Sequence, residues 1–205
     1  MKLYGHPYSS CTQKVLLTLA EKGLKADFTF VDLAKGEQKS PQHMARQPFG
    51  VVPAFEDDDF RMYESQAIAR YLDAKYPQNK LIPGQIQALG KMEQWISATN
   101  SYVNPPVITI LMQKVLGPMR GQQTNQEKVN QAIQKIRFVL SVFDKELLSK
   151  SYLAGEEFSL ADIFLMPYLG ILLTAKEGHL IEEFPSLNAW WKRVSTRPSW
   201  QRLHQ

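Results

Sequence analysis

The chain carries one cysteine, Cys11, in 205 residues, so no disulfide can staple it internally. A lone thiol fits a reducing compartment, and a cytoplasmic location is the expectation. Cys-x-x-Cys is missing, which counts against dithiol redox chemistry. No apolar run reaches the ~18 residues that suggest a membrane span, and the most apolar stretch, 103–112, is interrupted by Asn104, Pro105 and Pro106. Residues 1–12 lack the basic-then-apolar layout of a secretion signal. The four histidines and the cysteine show no metal-ligand spacing, so no metal is expected. Internal repeats and low-complexity tracts are absent.

A net charge of +4 raises the question of nucleic acid. The one basic stripe with interleaved aromatics is Trp190, Trp191, Lys192, Arg193, Arg197, Trp200 and Arg202. It reads as an amphipathic helix with its tryptophans inward and its basic residues solvated. Neither a nucleic acid nor a membrane is expected as a partner.

What is present is enough apolar residue, 44%, for a real core. Residues 2–5 read as a strand, and Val15, Leu16, Leu19 and Ala20 as a helical stripe ending at Gly23. Residues 27–31 alternate as a second strand, and 35–47 is polar and irregular. A hairpin is expected from 51–56 and 60–63 around an Asp57-Asp58-Asp59 turn, then a helix over 64–76. The order is βαβ followed by ββα. No strand pattern returns after Tyr76, and helical patterns cover about 86–116, 125–148, 160–176 and 186–195. The expected organisation is a first domain at 1–77, a linker at 78–84 and an all-α domain at 85–205. Ser159-Leu160-Ala161-Asp162 is a capping box, so Asp162 is assigned a structural role.

Three segments can carry chemistry. His6-Pro7-Tyr8-Ser9-Ser10-Cys11 puts two hydroxyls and a thiol where a strand turns into a helix. The free N–H groups of a helix N-terminus favour an anion such as a thiolate, although serines there are most often plain caps. In Val51-Val52-Pro53 a cis bond would leave the Val52 N–H and C=O free to pair with an extended, peptide-like ligand; an edge strand is the plainer reading. Glu64-Ser65, a cap or a carboxylate-and-ammonium site, opens the next helix.

Taken together, these segments resemble consecutive motifs of the glutathione transferases, and most closely the phi class. Gly5-His6-Pro7 with Ser9, Gly36-Glu37-Gln38-Lys39, the run from Pro48-Phe49-Gly50 through Val52-Pro53 to Asp57, and Glu64-Ser65-Gln66-Ala67-Ile68 carry the likeness, followed by Leu153-Ala154-Gly155-Glu156. The resemblance implies an α+β, thioredoxin-like N-terminal domain, an all-helical C-terminal domain and a homodimer, for which Phe49 offers an exposed anchor. It implies Ser9 as the residue activating the glutathione sulfur, Gln38 and Lys39 on the glycyl carboxylate, Val52 with Pro53 at the cysteinyl unit, and Glu64 with Ser65 at the γ-glutamyl end. The reaction implied is addition of glutathione, a co-substrate with no further cofactor, to small hydrophobic electrophiles, with hydroperoxide reduction as a second activity. Ile108, Leu111, Met112 and Val115 are candidates for lining the electrophile site, Met112 and Val115 foremost. Two departures stand out: Gln38 where the phi pattern usually has histidine, and Val51 where it often has glutamine. Two other readings stay open at this point, a non-catalytic ligand-binding or regulatory module of the same fold and a Cys11-dependent thiol transferase.

Overall fold

A computed structural model describes residues 1–203; His204 and Gln205, the end of the expected domain 85–205, lie outside the described residues. The chain divides into two compact units. One comprises Met1–Leu81 with the C-terminal helix, and the other Ile82–Arg197.

The first unit runs β1 (Lys2–Gly5), α1 (Ser10–Glu21), β2 (Asp27–Phe30), α2 (Pro41–Met44), β3 (Ala54–Asp57), β4 (Phe60–Tyr63) and α3 (Ser65–Lys75). Its sheet has the order β2-β1-β3-β4, with β1 parallel to β2 and antiparallel to β3. This is the thioredoxin-like arrangement expected from the motif order. Leu3 and Phe55, cross-strand partners, pack with Val15 and Leu19 of α1 and Ile68 and Leu72 of α3 into one core. Strand alternation sends Tyr4 and Glu56 the opposite way, where the Tyr4 hydroxyl donates to Glu56 (2.8 Å) and Arg46, just after α2, lies over the Tyr4 ring. α1 closes on Gly23 at φ +68°, with Leu24 N–H on Leu19 C=O and Gly23 N–H on Ala20 C=O, a Schellman motif.

In the hairpin and the segment before it the structure differs from the sequence reading. The third strand begins at Ala54, not Val51, because Pro53 has no N–H to give to the ladder. Asp57 belongs to that strand rather than to the turn, drawn there by hydrogen bonds from Tyr71 (2.8 Å) and Lys75 (2.5 Å) of α3. The turn shrinks to Asp58 and Asp59, with Asp58 at φ +53°. The segment read as irregular contains a 3₁₀ turn, Glu37–Lys39, and the short α2, which starts at Pro41 behind its N-cap Ser40.

Residues 78–81, read as linker, are tied to the first unit. The fully buried Lys22 ammonium donates to Asp73 (2.7 Å) and to the carbonyls of Gln78 and Asn79, and Leu81 N–H donates to Asp73. The C-terminal helix, Pro198–Leu203, groups with this unit and not with the helical domain in which the sequence reading placed it. Trp200 is buried, and Ser199 donates to Glu21 of α1.

The second unit is all helical: α4 (Ile86–Ala98), α5 (Asn104–Leu111), α6 (Gly117–Met119), α7 (Gln126–Leu147), α8 (Leu160–Thr174), α9 (His179–Glu182) and α10 (Pro185–Ser195). The last helix, Pro198–Leu203, becomes α11. α4 to α6 form one course joined by π turns at Thr99–Val103 and Met112–Leu116. Pro105, Pro106 and Pro118 lack the N–H groups an α-helix needs, and a widened turn before each proline absorbs the defect. α8 is buried on nearly every side, as an all-round apolar helix must be. The expected capping box is present at its start, and Asp162, fully buried, accepts from Ser159 N–H, Leu153 N–H and the Trp190 indole. Among the described residues no helix is long and apolar enough to cross a membrane.

Candidate active site

The sheet register decides which segments meet. Tyr4 pairs with Ala54, Ala54 pairs with Tyr63, and Gly5 pairs with Phe30. The chain therefore leaves β1 toward Ser9, arrives at β3 through Val52–Pro53 and leaves β4 into Glu64–Ser65 at one end of the sheet. β2 exits there as well, toward the Gln38–Lys39 turn.

Ser9 is the N-cap of α1, and its Oγ accepts a long hydrogen bond from Thr12 N–H (3.4 Å). Its own hydrogen has no acceptor among the described residues. Ser10 is buried, while Cys11 is a free, half-buried thiol, less enclosed than its place past the turn suggests. Lys14, one helical turn beyond Cys11, is 2% exposed. Burial holds its ammonium below the usual lysine range, and Cys11 and Glu64 pull the other way.

The Val52–Pro53 bond is cis. Neither backbone group of Val52 has a hydrogen-bond partner among the described residues, whereas the loop before it is pinned at several points. Phe49 N–H donates to Gln47 Oε1 (2.7 Å), Gly50 N–H donates to Gln47 C=O (3.0 Å), and the Val51 C=O accepts from buried His43 (2.7 Å). Lys39 reaches this loop too, its ammonium donating to the Phe49 carbonyl (3.2 Å). Gly50, at φ +62°, has no room for a side chain: a Cβ would stand 2.7 Å from Lys39 Cδ and 3.1 Å from Gln38 O. Gln38 is half-buried, and its Oε1 has no partner among the described residues.

Glu64 stands at the N-cap of α3 with φ +71° and ψ 110°, a conformation that non-glycine residues rarely adopt. Its side chain makes no cap hydrogen bond, and it is exposed; Ser65 beside it is buried. The plain capping role considered for Glu64 is therefore not the one it plays. Such strain costs about 1–3 kcal/mol and persists where surrounding structure imposes it.

The structure thus brings Ser9, Gln38, Lys39, Val52, Pro53, Glu64 and Ser65 to the loops at one end of one sheet. Met112 and Val115 belong to the second unit, where Met112 is exposed and Val115 half-buried in the second π turn. The sequence reading missed His43, Gln47 and Lys14. A histidine inside a four-residue helix and a buried lysine leave no periodic mark, and only the fold reveals what they touch.

A thioredoxin-like domain with a helix start and an unpaired backbone rung at one end of its sheet, followed in the chain by an all-helical domain, defines the class of protein by its architecture. The comparisons make the class specific. Residues 1–74 match the glutathione S-transferase N-terminal domain and 107–198 the glutathione S-transferase C-terminal domain. Glutathione S-transferase F12 of Arabidopsis thaliana is 36% identical over 206 residues, covering 99% of this chain and 96% of the relative. Glutathione transferase F7 from Populus trichocarpa superposes with a TM-score of 0.93 at 33% identity, over 99% of this chain and 97% of that one. Glutathione S-transferase I from maize, solved in complex with an atrazine glutathione conjugate, superposes with a TM-score of 0.91 at 32% identity, over 98% and 95% of the two chains. The chain belongs to the glutathione S-transferase family, and its likeness is to the phi class.

Proposed function

We propose that this glutathione transferase, an enzyme conjugating glutathione to electrophiles, ionises the thiol at Ser9 and adds it to small hydrophobic acceptors. The observation that carries the reading is the convergence at one sheet end of Ser9, the unpaired Val52 backbone and the strained Glu64.

The tripeptide lies along the loops in an extended form. Its cysteinyl unit pairs with the Val52 N–H and C=O beside Pro53, as a short added strand would. Its γ-glutamyl carboxylate sits at the N-terminus of α3 on Ser65 and backbone N–H, with its ammonium against Glu64. The glycyl carboxylate takes Lys39 and the Gln38 amide. With both ends held, the sulfur lies at the start of α1. Lowering a cysteinyl thiol from about 8.5 to about 6.5 requires ~2.7 kcal/mol. A hydrogen bond from Ser9 to the charged sulfur contributes roughly 1.5–3 kcal/mol, and the helix N-terminus about 0.3–1 kcal/mol. Together they reach that value without a general base. The thiol proton passes to solvent, and the thiolate attacks the electrophilic carbon. With an aryl halide the S–C bond forms and the halide leaves with the C–X electron pair; with an isothiocyanate the C=N π pair moves to nitrogen, which takes a proton from water.

Met112 and Val115 are the proposed apolar contacts of the electrophile. The maize relative's atrazine conjugate supports an organic acceptor of that kind. The active unit is a homodimer with Phe49 as an anchor: its ring is 65% exposed and meets Tyr63 edge-on at 5.9 Å. A glutathione-dependent assay over aryl halides, isothiocyanates, hydroperoxides and mixed disulfides tests the reading. Turnover of the first two classes is expected, with hydroperoxide reduction as a lesser activity. Turnover of mixed disulfides alone, lost on Cys11→Ala, would replace it with cysteine chemistry.

A further inference from the structure

The peptide unit joining Val51 to Val52 has two ends, and His43 holds one of them. The Val51 carbonyl lies 2.7 Å from His43 Nε2. A carbonyl has no hydrogen to give, so Nε2 carries the proton and donates. The imidazole is 4% exposed, and its backbone is fixed at the start of α2, where His43 N–H donates to Ser40 Oγ (3.2 Å). A peptide unit is planar, and in its trans form the C=O and N–H point in opposite directions. Anchoring the Val51 carbonyl therefore aims the Val52 N–H away from α2. A donor on the carbonyl also polarises the unit and strengthens that N–H as a donor.

We propose that His43 is a positioning residue for glutathione, orienting and strengthening the Val52 N–H through the peptide plane that the two residues share. The inference rests on the reading that Val52 pairs with the cysteinyl unit. It accounts for a position left apolar, since Val51 points its own side chain outward at 47% exposure and can contribute to binding only through its backbone. It also links the two arms of the site. The turn carrying Gln38 and Lys39 runs straight into Ser40 and α2, so one short segment sets both the carboxylate anchors and the backbone rung.

The test compares the wild-type enzyme with His43→Phe, which fills the ring's space without a donor, and His43→Gln, which keeps one. Steady-state kinetics at varied glutathione give KM and kcat. Calorimetric titration with S-methylglutathione gives affinity for the same tripeptide without an ionisable sulfur. Losing one net hydrogen bond corresponds to a change of about 3- to 10-fold. His43→Phe should raise both the glutathione KM and the S-methylglutathione Kd by that factor, with kcat at saturation within about twofold of wild type. His43→Gln should recover most of the loss. Unchanged KM and Kd in folded His43→Phe, or a fall in kcat alone, overturns the inference. Should His43→Phe fail to fold, His43→Asn takes its place, a side chain too short to span the gap; equal Kd values for the Asn and Gln variants would then overturn it. Conjugation by the wild-type chain is measured first, so that an inactive wild type counts against the functional reading and not against His43.

Discussion

Ser9 has one observed role and one proposed role on a single oxygen, and they are read by different measurements, stability and turnover. As N-cap it accepts from Thr12 N–H, and as proposed activator it donates to sulfur. Ser9→Ala loses both. The missing cap costs about 1 kcal/mol of stability. The missing charge-assisted donor costs roughly 1.5–3 kcal/mol, which raises the bound thiol's pKa by about 1–2 units. Glutathione should still bind through Lys39, Gln38, Glu64 and Ser65, so the defect lies in turnover near neutral pH and shrinks as pH rises. Ultraviolet titration of the bound thiolate, beside rates across pH, checks this. Cys11→Ala is expected to keep most conjugating activity even though the thiol is half-buried and lies in the first turn of α1, because Ser9 at the N-cap is the proposed donor to the sulfur. An unchanged thiol pKa in Ser9→Ala, with activity lost in Cys11→Ala, would reassign the activating residue.

Between elements, the hairpin β3–β4 is fastened to α3 by a carboxylate that the sequence had placed in a turn. Lys75, with Tyr71, holds the Asp57 carboxyl below its ordinary range against the opposing effect of burial. A depressed folded-state pKa means stability that is fully present above the unfolded-state value and lost as pH falls through the folded one. Acid should therefore loosen this hairpin, and with it the mount of Glu64–Ser65. Asp57→Asn is expected to be less stable than wild type at pH 7, the two curves converging between about pH 5 and pH 2. Urea midpoints measured across that range decide it, and parallel curves would show that Asp57 contributes no pH-dependent stability.

At the scale of the molecule, the proposed homodimer has the most direct test. Light scattering at micromolar concentration is expected to give twice the chain mass of 23.5 kDa. Phe49→Glu should shift the population toward monomer, because a charge cannot be buried unpaired at an apolar contact. A wild-type monomer would remove the proposal, and a dimer indifferent to Phe49→Glu would move the anchor elsewhere. Phe49 N–H is held by Gln47 and its carbonyl by Lys39, so glutathione affinity should be measured alongside.

The sequence by itself determined the order of the strands and the longer helices, the capping box at Ser159–Asp162 and the helix closing on Gly23. These rest on local chemistry: alternation, caps, turn residues and short motifs act over a few positions and are legible in one dimension. Tertiary structure alone decided that Asp57 joins the strand, that residues 78–81 fasten to Lys22 and Asp73, and that Pro198–Leu203 packs with the first unit. It also decided that His43 reaches Val51 and that Glu64 takes a strained backbone instead of a capping role. Each of these depends on a partner brought near by the fold, and sequence carries no record of a hydrogen bond whose two ends meet only once the sheet register and the helices above it are set.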